Sequence, residues 1–167
     1  MKSLALAMGV LGLAMVGLTQ YEEPSRTAVV AEAKTAGIGR ILKGLTGKDI
    51  TGRLVTAPVP GATATVIALT STTCPLCLKF GPTLAKLEKS YQSKGIKFIF
   101  VNPSEVETDQ EIKAQVKKLG LTSPVIHDLS QAWTERLDSV TTTETYLLDA
   151  KGRLVYRGAV DDQYAIG

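Results

Sequence analysis

Ala64-Thr65-Val66-Ile67-Ala68-Leu69-Thr70 is an unbroken apolar, β-branched run. Such a run belongs to a strand covered on both faces, so the chain has to fold around it rather than expose one side. It leads straight to Cys74-Pro75-Leu76-Cys77, which holds the only two cysteines of the 167 residues. Pro75 suits the first turn of a helix, and Leu76, Phe80, Leu84, Leu87 and Tyr91 follow at spacings of three and four, which gives that helix one core face. Pro82 is expected to kink it. A pair of thiols therefore stands where a buried strand becomes an amphipathic helix.

That spacing is the signature of a dithiol that cycles between thiol and disulfide. A sulfur at a helix start meets unpaired backbone N–H groups and the positive end of the helix dipole, both of which favour the thiolate. Cys74 is the expected nucleophile, and Cys77, one turn further in, is placed to attack the mixed disulfide. Zinc needs four ligands, and the sequence adds only His127 as a soft or imidazole donor. Haem attachment needs a histidine directly after the second cysteine, where Leu78 stands. A purely structural bridge across so short a loop would remove little unfolded-state entropy. No metal and no cofactor is expected.

Lys2 is the only charge in residues 1–19, and an uncharged apolar run, residues 4–18, follows it. This is the pattern of a secretory signal or an uncleaved N-terminal anchor, short of the roughly 20 residues of a comfortable span. Export to the periplasm or another extracytoplasmic space would put the dithiol in an oxidising compartment. Residues 20–40 look like a linker, and the domain is expected over 41–167. The net charge of +3 is small and scattered, which leaves no footprint for a nucleic acid.

Lys48 to Val55 has the pattern of a hairpin turning at Thr51-Gly52, ended by Pro58, Pro60 and Gly61. Ile96 to Val101 is a second buried strand. Thr108 and Glu111 form a capping box ahead of Ile112, Val116 and Leu119, and Gly120 closes that helix. Val125 to Asp128 is a short strand, and Ala132, Trp133 and Leu137 mark a short helix. Residues 145–149 and 153–157 form a last hairpin around Ala150-Lys151-Gly152. Residues 159–167 show no helical stripe to cover it, so we expect the chain to be a monomeric part of a longer protein. The class is α/β.

Taken together, the strand ending in Thr72-Thr73-Cys74-Pro75-Leu76-Cys77, Pro82, Thr145-Tyr146-Leu147-Leu148-Asp149, Lys151-Gly152-Arg153 and Tyr156-Arg157-Gly158 resemble the thioredoxin superfamily. The resemblance is to its exported thioredoxin-like and redoxin branch, related to alkyl hydroperoxide reductase and thiol-specific antioxidant proteins. It covers about residues 41–164. It implies a mixed four- or five-stranded sheet flanked by helices, with the dithiol at the tip of the first core helix. Three departures follow from the comparison. The family's cis-proline slot falls at Thr143, Thr73 stands in place of the usual tryptophan, and the buried acid of many thioredoxins would fall at Ala68. Glu144, beside the slot, is the substitute candidate for assisting Cys77.

The expected function is thiol–disulfide exchange with protein thiols, fed by an upstream thiol reductant, with Pro75, Thr73, Thr143 and Glu144 supporting Cys74 and Cys77. A second reading is an antioxidant thiol peroxidase. Peroxiredoxins that resemble this fold carry a threonine or serine three positions before the reactive cysteine and a proline seven before it. Ser71 matches the first and Ile67 fails the second. A third reading is Cu(I) handling by the two cysteines with His127, although copper chaperones of this fold usually space their cysteines CxxxC.

Overall fold

The computed structural model describes residues 37–161. The apolar run 4–18, the part of the expected linker 20–40 up to residue 36 and the last six residues lie outside the described residues. In chain order the elements are β1 (Leu45–Lys48), β2 (Leu54–Ala57), β3 (Ala64–Leu69), α1 (Pro75–Tyr91), β4 (Ile96–Asn102), α2 (Asp109–Leu119), β5 (Val125–His127), α3 (Ala132–Leu137), β6 (Glu144–Asp149) and β7 (Leu154–Ala159). The central sheet is five-stranded and mixed, in the order β5-β4-β3-β6-β7. β3 pairs parallel with β4 and antiparallel with β6, with Ile67 opposite Ile99 on one side and Tyr146 on the other. The continuous apolar run is thus the middle strand.

Because side chains alternate along a strand, β3 and β4 feed two cores. Ile67, Leu69, Ile99 and Val101 meet Leu45, Val55 and Ala57 of the β1–β2 hairpin and Trp133 and Leu137 of α3. Ala68, Phe98 and Phe100 face the other way, with Leu84 of α1 and Ile112 of α2. The hairpin is separate from the main sheet and closes one of its faces. Its turn is tied by Asp49, whose carboxylate accepts from Thr51 N at 2.8 Å, Thr51 Oγ1 at 2.6 Å and Arg53 N at 3.0 Å.

α1 buries Cys77, Phe80, Gly81, Leu84 and Glu88, a stripe at helical spacing. It continues through Pro82 to Tyr91, although proline takes one N–H from its hydrogen-bond ladder. Tyr91 departs from the expected core face. The residue is 37% exposed, with Lys94 Nζ 4.5 Å from its ring centroid, because the apolar stripe ends a turn earlier. The capping box forms as expected: Thr108 N donates to Glu111 Oε2 at 2.7 Å, and Glu111 N donates to Thr108 Oγ1 at 3.3 Å.

The turn between β6 and β7 carries Gly152 at φ 80°, where an added Cβ would stand 2.7 Å from the Leu42 carbonyl and 3.2 Å from Pro58 Cδ. Leu42 N donates to the Gly152 carbonyl at 2.7 Å, which fastens the lead-in segment to the last hairpin. Gly61 has a similar φ of 77° with open space around it. Urea unfolding of Gly152→Ala should lose about 2 kcal/mol or more, from backbone strain plus a clash that has no side chain to yield. Gly61→Ala should lose only the strain, about 1 kcal/mol. Equal losses would remove the Leu42 contact from the account.

Candidate active site

Cys74 is the N-cap of α1, with φ −75° and ψ 118°, and its Sγ accepts from the backbone N–H of Cys77 at 3.5 Å. Pro75 takes the next position, where its missing N–H costs nothing because that donor has no intrahelical partner. Both cysteines are free thiols, Cys74 partly exposed and Cys77 buried. The Cys77 thiol donates to the Thr142 carbonyl at 3.0 Å. Thr142 lies in the connection between α3 and β6, which begins where Asp138 turns the chain at φ 50°.

The two thiols are pushed in opposite directions. Partial burial acts to raise Cys74, but the Thr142 side chain, the Cys77 N–H and thiol, and the Leu76 backbone outweigh it, so its pKa falls below the ordinary value. Burial comes first for Cys77 as well, reinforced by its hydrogen bond to Cys74 and by the charge there, and its pKa is pushed up to about 12. The motif therefore pairs one thiol that ionises more readily than an ordinary cysteine with one that holds its proton.

The approach from β3 is organised by Glu107, which is only 4% exposed. Its Oε1 accepts from Ser71 Oγ at 2.5 Å, Thr73 Oγ1 at 2.9 Å and Thr73 N at 3.2 Å. Its Oε2 accepts from Asn102 Nδ2 at 2.7 Å and Thr72 N at 2.8 Å. Burial opposes ionisation, but these donors prevail and hold the Glu107 pKa down to about 2. Ser71 Oγ in turn accepts from Cys74 N at 3.2 Å, and the Ser71 carbonyl accepts from Gln115 Nε2 at 3.1 Å.

The expected supporting residues fare differently. Thr73 packs no bulk before Cys74 but gives both its N–H and its hydroxyl to Glu107. At Thr143 the preceding peptide bond is trans, the sole cis bond among the described residues being Ala57–Pro58. A non-proline cis bond would cost about 2.5–4 kcal/mol. It is the neighbouring Thr142, not Thr143, whose carbonyl meets the Cys77 thiol. Glu144 is committed elsewhere: its Oε1 accepts from Arg157 Nε at 3.1 Å and Nη2 at 3.0 Å, and its Oε2 from Tyr146 OH at 2.8 Å and Val140 N at 2.9 Å. None of these four donors is Cys77, whose thiol is turned to the Thr142 carbonyl, and Glu144 is ion-paired with the Arg157 guanidinium. Ala68 is fully buried in β3.

Glu107, Asn102, Gln115 and Thr142 were not among the expected site residues. One signal pointed to an acceptor of this kind. Residues 71–73 lie between a strand and a helix, so their backbone donors need partners from elsewhere. Sequence spacing does not identify an acid more than thirty positions away as that partner.

His127 stands apart from the thiols' own contacts. Its Nδ1 lies 2.6 Å from Asp109 Oδ1 and its Nε2 lies 2.9 Å from the Ser104 carbonyl. Both partners are acceptors, so the doubly protonated ring satisfies both and the neutral ring only one. Burial acts to lower its pKa, but Ser104 and Asp109, with the charge of Glu107, raise it.

The Redoxin family's sequence profile matches residues 45–164. The chain belongs to the Redoxin family. Among solved structures it is similar to a hypothetical protein from Sinorhizobium meliloti 1021, at 28% identity and a TM-score of 0.71 over 75% of this chain and 72% of that one. It is also similar to the thioredoxin domain of a thiol-disulfide oxidoreductase from Bacteroides vulgatus, at 20% identity and a TM-score of 0.64 over 75% and 90% of the two chains. A secreted Mycobacterium tuberculosis disulfide oxidoreductase, described as homologous to E. coli DsbE, gives 15% identity and a TM-score of 0.61 over 74% and 87%. These likenesses give a thioredoxin-like fold for this redoxin domain. No curated protein matches the chain.

Two measurements test the site's electrostatics. Limited alkylation of the reduced protein near neutral pH should modify Cys74 first, with a midpoint below the free-cysteine value of about 8.5; mass mapping that found Cys77 first would reverse the order. For His127 the folded pKa is raised, so its stabilisation is complete below the unfolded value of about 6.5 and is lost as pH rises through the folded value. The stability gap between the native chain and His127→Gln in urea should therefore shrink with rising pH, and a constant gap would remove the charged ring from the account.

Proposed function

We propose that this redoxin is an extracytoplasmic thiol–disulfide oxidoreductase that works on protein partners. The observation that carries the reading is the opposed tuning of the two thiols, Cys74 lowered and partly exposed, Cys77 buried and raised to about 12. In the reducing direction the Cys74 thiolate attacks one sulfur of a partner disulfide. That bond breaks, the other partner sulfur leaves as a thiolate and takes a proton from water, and a Cys74–partner disulfide remains. Cys77 then loses its proton and attacks Cys74 Sγ, which releases the second partner thiol and closes the Cys74–Cys77 disulfide. Two electrons pass from the dithiol to the partner. An upstream thiol reductant restores the dithiol, and the same steps reversed oxidise a partner.

A cleft of about 390 Å³, bordered by Pro103, Gln131 and Val140, has room for an extended polypeptide and is lined by Thr142, whose carbonyl meets the Cys77 thiol. Val140 is 80% exposed there. Export rests on Lys2 and the uncharged run 4–18, and the Mycobacterium tuberculosis protein of similar fold is a secreted disulfide oxidoreductase. The same segment would serve as a membrane tether if retained.

Peroxidase chemistry is disfavoured by Ser71. A serine has one hydrogen to donate, and here it goes to Glu107 at 2.5 Å, so the hydroxyl has none for a peroxide at Cys74. Copper handling is disfavoured by His127, whose two ring nitrogens are both engaged.

Cys77→Ser should trap covalent adducts with partner proteins that reductant releases, whereas Cys74→Ser should trap none, because only the first variant can attack without resolving. Equal yields would mean a structural pair. Equilibration of the native couple with glutathione sets the direction: a potential near about −270 mV marks an electron donor and one near about −120 mV an oxidant.

A further inference from the structure

Glu107 is a buried anion with no cation among its partners. Its five hydrogen bonds come from neutral donors, and four of them come from Ser71, Thr72 and Thr73. Burying a carboxylate is costly, and a neutral acceptor would be enough to hold a loop. The charged group does something a neutral amide does not. It only accepts, so the single hydroxyl hydrogen of Ser71 has to point to it, and the Ser71 lone pairs have to point away. Those lone pairs receive the backbone N–H groups of Thr73 and Cys74, each at 3.2 Å. The polarity of the chain from Cys74 N–H through Ser71 O–H to Glu107 is thereby fixed at its far end.

We propose that Glu107 is the positioning residue of the dithiol, acting through Ser71 to hold the Cys74 backbone so that its sulfur stays on the Cys77 N–H at the start of α1. The inference rests on the reading of Cys74 as the attacking thiol and adds a residue to that site. Cys74 Sγ lies 3.5 Å from Cys77 N, an ordinary N–H···S separation that depends on where the cap holds the sulfur. The loop that brings Glu107 in is itself fastened. Asn102 Oδ1 accepts from Ser104 N at 2.9 Å, and His127 binds Ser104 and Asp109 on either side. With its pKa near 2, Glu107 stays ionised wherever the thiol titrates, so it acts as a constant and not as a switch.

Positioning and bare charge have opposite signs. A negative charge near Cys74 disfavours the thiolate, so its removal alone would lower the midpoint for Cys74 ionisation. Loss of positioning would raise that midpoint towards the free-cysteine value, because the N–H contacts that favour the thiolate loosen. Glu107→Gln keeps the shape but turns an N–H towards one side of the donor set. The pH profile of iodoacetamide reaction at Cys74 should move up by about one unit, which is about a tenfold loss of rate below both midpoints. Ser71→Ala leaves the charge and cuts the link, and should move the profile the same way. The double variant should be no worse than Glu107→Gln alone, as expected for two residues of one chain of contacts.

Glu105 on this loop, Asp109, Glu111, Lys113, Lys117 and Lys118 on α2, and His127 on β5 are the other titratable groups of these elements, and they remain in every variant, so shifts are read as differences in one buffer series. A lower midpoint in Glu107→Gln overturns the proposal in favour of bare charge. An unchanged midpoint in both single variants, with only a fall in thermal stability, overturns it in favour of a plain brace. If Glu107→Gln does not fold, Ser71→Ala decides alone: a raised midpoint supports the link and an unchanged one overturns it. Reaction of Cys77 before Cys74 in the native chain would overturn the underlying reading and this assignment together, whereas normal native order with unmoved variants overturns this assignment only.

Discussion

The fold depends on the double pairing of β3. Its backbone is hydrogen-bonded to β4 on one side and β6 on the other, so its N–H and C=O groups are satisfied without water. That frees both faces to be apolar, and Thr65, Ile67, Ala68 and Leu69 are all buried. One consequence is a rigid launch point: Thr70 N still donates to the Val101 carbonyl at 2.9 Å, one residue beyond the strand. The chain then leaves the sheet abruptly and must satisfy residues 71–73 from elsewhere. Glu107 supplies those partners, and it too is delivered by the ladder, since it follows the adjacent strand β4 by only a few residues.

The legible parts of the sequence are those whose cause is local. The apolar run gave β3, the three-and-four spacing after Pro75 gave α1, and Thr108 with Glu111 announced the start of α2 within four residues. The N-terminal hairpin was legible from Thr51-Gly52, since the left-handed turn falls on Gly52 at φ 86°. The strand order is a product of pairing between distant segments; the family resemblance implies a mixed sheet of four or five strands and not their order. Tyr91 shows the limit of periodicity, because spacing continues along a helix whether or not a core remains to receive it.

The acids around the dithiol show the other limit. Glu144 was singled out for its place in the chain beside Thr143, yet a carboxylate goes where its donors are, and here those are Arg157, Tyr146 and the Val140 N–H. Glu107 lies thirty-three positions beyond Cys74, and nothing in its spacing sets it apart from Glu105 two residues before it. Glu105 is exposed and Glu107 buried, a choice made by which residue of the loop faces Ser71. Side-chain pairing across such separations is a property of the assembled sheet and has no signature in spacing.

The order of events in the proposed exchange is set by charge. Cys74 ionises first because its N–H and hydroxyl neighbours outweigh partial burial, and its negative charge then helps to keep the proton on Cys77. The two thiols titrate as a pair, and ionisation of one suppresses the other. When Cys74 enters a mixed disulfide its charge disappears, and that part of the restraint on Cys77 goes with it. Burial remains, so Cys77 is still reluctant. The Thr142 carbonyl that takes its hydrogen bond offers no proton acceptor of matching strength, and neither Ala68 nor the Arg157-paired Glu144 supplies one. The Cys77 proton must then leave through the opening at Cys74, to water or to the departing partner thiolate. A partner that brings its own base to that opening would be resolved faster than one that does not, which places part of the specificity of this domain in the chemistry of what it meets.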